Sequence, residues 1–154
     1  MKVQDVFTPG TVHIPRTCNL QEAARQMRDQ HVGALVVTNG AGTPSLLGIV
    51  TDRDLALKAM AQGASPLETT VGDVMSSGAL TVDVSADVDD AMQLMASHGV
   101  RRLAVTNRAD EVLGMISLDD VIQALGRDWA MLAGIVRGGQ QRERSGSVQS
   151  RLHP

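Results

Sequence analysis

Gly48-Ile49-Val50-Thr51-Asp52-Arg53-Asp54 returns later in the chain as Gly114-Met115-Ile116-Ser117-Leu118-Asp119-Asp120. In each copy a short β-rich run ends in Thr or Ser and meets an acidic, helix-periodic segment, so a strand passes directly into a helix. Thr51 and Asp54 have the spacing of a capping box, with Asp where Glu or Gln is usual. Upstream, the chain superimposes on itself at an offset of 68 residues. Val3-Asp5-Val6 falls on Val71-Asp73-Val74, Met27 on Met95, Leu35 on Leu103, and Val37-Thr38-Asn39 on Val105-Thr106-Asn107. Two residues are lost in the loop that follows. The chain is an internal duplication.

Each copy carries the same pattern of elements. A short apolar segment (12–14, 80–84) precedes a capped amphipathic helix. Asn19 and Glu22 take the cap and third positions before Leu20, Ala23, Ala24 and Met27, and Asp87 precedes Val88, Ala91, Met92 and Met95. Two β-rich runs follow in each copy, 34–38 with 47–51 and 103–106 with 112–117, joined by NGAGTPS and NRAD and predicted as hairpins. A second helix comes next, from residue 52 to about 62 and from residue 118 onward. Leu118, Val121, Ile122, Leu125, Trp129, Leu132 and Val136 keep the helical period and carry the last helix past Gly126. The expected organisation is a first repeat over 1–66, a second over 67–126, a helical extension over 127–137 and a flexible tail over 138–154, where the apolar period is lost.

Composition narrows the function. The apolar share is 43% but aliphatic, with Phe7 and Trp129 as the only aromatics. A net charge of -3 without a basic stripe argues against nucleic-acid binding. The single cysteine, Cys18, excludes an internal disulfide and fits a reducing compartment. With no signal peptide and no apolar run of membrane-spanning length, a cytoplasmic location without membrane contact is expected. His13, His31, His98 and His153 lack metal-ligand spacing, and Cys18 has no base beside it in sequence, so no metal and no catalytic set is expected. Gly40 and Gly42 lead into a strand rather than a helix, which makes NGAGTPS a hairpin loop and not a phosphate loop.

The order strand, helix, two strands and helix, with Asp73-Val74-Met75, Arg101-Arg102-Leu103-Ala104-Val105 and the two strand-to-helix junctions, resembles the CBS domain over residues 3 to 126. The resemblance implies an α/β fold of two tandem CBS repeats about a pseudo-twofold axis, a Bateman module, with two clefts between them. It also implies a regulatory, non-catalytic module that binds an adenosine-containing small molecule such as AMP, ATP, NAD or S-adenosylmethionine, forms a homodimer and acts on an unidentified effector protein. The alternative is a dimerisation module with unoccupied clefts.

By the same resemblance, one cleft joins Thr51, Arg53 and Asp54 to Leu80, Thr81, Val82, Arg101 and Arg102. Its physical basis is a helix start and a Thr hydroxyl for an anion, a carboxylate for a ribose diol, and an Arg fork for phosphate. The other joins Ser117, Asp119 and Asp120 to Val12, His13, Ile14, Gly33 and Ala34. Gly33 and Ala34 stand where the second repeat has Arg101 and Arg102, so that cleft offers phosphate fewer cations.

Overall fold

A computed structural model describes residues 1–40 and 45–146; the centre of the NGAGTPS loop and the last eight residues lie outside the described residues. The first half begins with β2 (His13–Pro15), after the two-residue β1 (Thr8–Pro9). It continues through α1 (Leu20–Gln30), β3 (Ala34–Thr38) and β4 (Leu46–Thr51) to α2 (Asp52–Asp54), which runs on as a π-helical segment, Leu55–Met60. A short α3 (Val71–Val74) and β5 (Ser76–Ser77) lead into β6 (Thr81–Asp83), α4 (Val88–His98), β7 (Arg102–Thr106), β8 (Val112–Ser117) and α5 (Leu118–Gly146).

Both halves have one topology. Strand orders are β2-β3-β4-β5 and β6-β7-β8-β1. In each, the first pair is parallel and the other two are antiparallel, and the hairpin register shifts at the same place, Val37/Thr38 and Val105/Thr106. The parallel pair needs a crossover, which α1 and α4 supply. Asn19 Oδ1 caps α1 by accepting from Glu22 N at 2.9 Å, and Asp87 N donates to Asp90 Oδ2 at 3.2 Å at the start of α4.

Alternation along the central strands assigns their two faces. Leu35, Val37 and Val50 join Ile14, Leu20, Ala23 and Met27 in one aliphatic core, while Leu103, Val105 and Ile116 join Val82, Val88, Ala91 and Met95 in another. Val36 and Ala104 point to the opposite faces and are fully buried outside both clusters.

The sequence repeats and the packing units do not coincide. Val3, fully buried, with Val6 and Phe7, belongs to the second core, and β1 pairs with β8. Val71, Val74 and Met75 belong to the first core, and β5 pairs with β4. Each half is thus completed by the segment that precedes the other in sequence. Matching backbone bonds hold both straps: Val3 N to Ala86 O at 2.9 Å and Gln4 N to Val84 O at 3.0 Å, against Val71 N to Cys18 O at 2.8 Å and Gly72 N to Arg16 O at 2.9 Å. Where Thr70 N and its hydroxyl donate to Asp73, the carboxyl is held below its ordinary pKa by those bonds, the backbone one first.

The C-terminal segment differs from expectation. Helix α5 does not stop near residue 137 but continues through Gly146, so 138–146 is helical; of the expected tail, 147–154 lies outside the described residues. Loss of apolar period marks the end of a packed face, and backbone bonding can continue beyond it. None of the described helices is long and apolar enough to cross a membrane.

Candidate functional site

Both strand-to-helix junctions form caps of one design. Thr51 N and Thr51 Oγ1 donate to Asp54 Oδ2 at 2.9 and 3.0 Å, and Asp54 N returns a bond to Thr51 Oγ1 at 3.1 Å. At the second junction Ser117 N and Oγ donate to Asp120 Oδ2 at 2.8 and 2.6 Å, and Asp120 N donates to Ser117 Oγ at 3.2 Å. The residues just before β3 and β7 also feed the helix starts, through Asp52 N to Gly33 O at 3.1 Å and Leu118 N to Arg101 O at 2.9 Å.

The junctions differ at the free carboxylate oxygen. Lys58 Nζ sits 3.0 Å from Asp54 Oδ1 and donates to Val74 O at 3.2 Å. At Asp120 the corresponding oxygen accepts from the Thr8 hydroxyl, at 3.4 Å, from β1. The position matching Lys58 is Ala124, which is buried.

An open cleft of about 930 Å³ lies between the halves. Thr51, Asp52, Arg53 and Asp54 line one side; Leu80, Arg101 and Arg102 face them from the second repeat. The connection from Ser76 to Ala79 closes one edge and the end of α4, His98 to Val100, another. Arg101 is exposed and reaches Asp119 at 3.8 Å, a loose surface pair, while Arg102 is half-buried. A Cβ on Gly33 would lie 3.0 Å from the Asp52 carboxylate and 3.7 Å from an Arg102 guanidinium nitrogen. The small residue at 33 therefore leaves room for the Asp52 carboxylate, while an added Cβ would meet Arg102 only at ordinary contact distance.

Of the first expected set, Thr51, Arg53, Asp54, Leu80, Arg101 and Arg102 come together in this cleft. Val82 instead packs in the second core, and Thr81, though exposed, does not line the cleft. Two members of the second expected set line this cleft and the others lie outside it. Ser117 and Asp119 line the same cleft as Thr51, whereas Ile14 is fully buried in the first core with Val12 against it. His13 faces out beside the Thr11 hydroxyl at 2.6 Å, and Gly33, Ala34 and Asp120 do not line the cleft. On a three-residue strand, alternation sends the middle side chain inward, and this places Ile14 and Val82 in the two cores.

A further correction concerns the helix start. The first-turn amides of α2 are already engaged: Asp52 N by Gly33 O, Arg53 N by Asp52 Oδ1 at 2.8 Å and Asp54 N by Thr51 Oγ1. Arg53, Arg101 and Arg102 bring guanidinium groups to the cleft lining. Sequence reading also missed Ser76 to Ala79 and His98, because a side chain enters this cleft through the strap exchange and the end of α4, neither of which has a local signature. Among the described residues no group of three His, Cys, Asp or Glu is placed to hold a metal ion.

A pair of like α/β halves, exchanging straps and enclosing a cleft with a capped carboxylate and facing arginines, defines a tandem-repeat ligand-cleft module. The chain belongs to the CBS domain family, whose sequence profile matches residues 3–60 and 71–127. It is 37% identical over 120 residues to the uncharacterized protein YlbB of Bacillus subtilis, covering 78% of this chain and 79% of that one. It is 34% identical over 102 residues to the uncharacterized protein MK0525 of Methanopyrus kandleri, covering 66% of this chain but only about half, 51%, of that relative. Among solved structures it resembles the CBS domain protein PAE2072 of Pyrobaculum aerophilum complexed with AMP. That match has a TM-score of 0.71 and 26% identity, covering 78% of this chain and 89% of that one.

Proposed function

We propose that this chain is a non-catalytic regulatory module that binds an adenosine-containing ligand between its repeats and transmits occupancy to an effector protein. The observation that carries the reading is the convergence of Asp54 and Thr51 from one repeat with Arg101 and Arg102 from the other on one cleft. In this reading Asp54 accepts from a ribose diol, sharing or displacing Lys58 at Oδ1, and the arginines pair with phosphate oxygens. The apolar surface of Ile49 and Leu80 borders a base. The AMP complex of PAE2072 supports this ligand class over an empty cleft. ATP, NAD and S-adenosylmethionine belong to the same class, and the working partner is a second copy of the chain, with Trp129, Leu132 and Val136 in the interface.

Because a ligand selective for the folded state stabilises it by mass action, AMP at about 100 times its Kd should add about 2.7 kcal/mol. At roughly 2–4 °C per kcal/mol this raises Tm by about 5–10 °C. Differential scanning fluorimetry with AMP, ATP, NAD and S-adenosylmethionine measures it. No shift with any of the four sinks the reading and favours a purely structural module.

A further inference from the structure

Helix α5 has 29 residues, about 43 Å of rise, yet only Val121 and Ala124 on it are buried. Ile122, Leu125, Trp129, Met131, Leu132, Ile135 and Val136 are all exposed, Trp129 by 70%. Gly126, Gly134, Gly138 and Gly139 sit inside the same helix with nothing within 4 Å of an added Cβ. Each internal glycine costs about 1 kcal/mol relative to alanine, and helices in water draw most of their stability from packing an apolar face. This helix therefore needs a partner that the described residues of its own chain do not provide.

The spacing and the charges specify that partner. Ile122, Leu125, Trp129, Leu132 and Val136 alternate steps of three and four, the narrow seam that packs on another helix at a shallow angle. Along α5 the sign of charge reverses. Asp119, Asp120 and Asp128 outweigh Arg127 in the N-terminal half, and Arg137, Arg142 and Arg144 outweigh Glu143 in the C-terminal half. A parallel copy would set like charges side by side. An antiparallel copy centred on Trp129 instead brings Arg137 alongside Asp119 and Asp120 of the other copy and opposes the helix dipoles.

We propose that α5 pairs antiparallel with α5 of a second copy along the seam from Ile122 to Val136. This deepens the dimer proposed above and does not depend on the nucleotide. The test uses the full chain. Trp129→Glu with Leu132→Glu, both exposed, should keep the circular dichroism of the globular part and convert a dimer into a monomer by light scattering at micromolar concentration. Orientation is read in a Cys18→Ser background with a spin label at Ser145→Cys. Antiparallel pairing puts the two labels about 45–55 Å apart. A monomeric parent chain, a dimer that survives the double change, or labels within about 20 Å of each other would each overturn the proposal. The AMP shift, measured on the same variants, reports separately on the nucleotide reading: its absence leaves the pairing result standing, and a failed pairing leaves the shift intact.

Discussion

A chain that starts at residue 10 is expected to melt roughly 10 °C below the intact protein, although residues 1–9 precede the first helix and lie outside the cleft. Val3 is fully buried in the second core, with Val6 and Phe7 packed against that cluster. Removing a buried Val costs about 1.5–3 kcal/mol, and with the two half-buried side chains the loss comes to about 4 kcal/mol. At roughly 2–4 °C per kcal/mol this gives the stated shift. The deletion also strips β1 from β8 and leaves an unpaired sheet edge, so aggregation on heating should increase. Gly114→Ala tests the same contact without shortening the chain, since its Cβ would meet the Thr8 carbonyl and lie 2.7 Å from the Phe7 ring. Overpacking of that kind costs about 1–3 kcal/mol. Unchanged melting for both variants, followed by circular dichroism, would mean that the strap is not part of the second core.

The strap exchange also shows where sequence reading stops. Periodicity and capping are local, so the helices at Leu20–Gln30 and Val88–His98, the two hairpins and both junction caps are legible from spacing alone. Val3 and Val71 also align in sequence, and that alignment correctly shows them to be equivalent. It does not show that each is buried in the other repeat's core, because a segment of three or four residues carries no mark of the sheet it will join. The cleft divides in the same way. Thr51 and Asp54 are legible at a strand-to-helix junction that the duplication repeats, whereas Arg101 and Arg102 join them only through the family resemblance, since the first copy has Gly33 and Ala34 there. Lys58 on Asp54 carries an i,i+4 signal in the sequence, but its second bond, to the carbonyl of Val74, does not, because Val74 belongs to the exchanged strap.

The two junction carboxylates should differ in their contribution to binding a phosphorylated adenosine ligand, with Asp54 the larger. Asp54 lines the cleft that also holds Arg101 and Arg102, whereas Asp120 does not line it and meets Thr8 and Ser117 instead. A hydrogen bond to a charged group is worth about 1.5–3 kcal/mol, so Asp54→Ala should weaken AMP binding roughly 10- to 150-fold. Asp120→Ala should change it by much less. Both substitutions remove a cap, which costs about 1 kcal/mol of stability in either half, and Asp54→Ala also strands Lys58, so losses in affinity that do not track the losses in Tm separate the two roles. Arg101→Ala should weaken binding too, and its effect should shrink as salt is raised, because the side chain is 73% exposed and its pairing is screened. Asp54→Asn narrows the assignment further, since the amide keeps the shape but lacks the charge that attracts both Lys58 and a diol. Isothermal titration calorimetry with AMP on the four variants decides the matter. Equal affinity losses at Asp54 and Asp120, or an Arg101 variant that binds like the parent at low salt, would mean that the ligand is seated elsewhere between the halves.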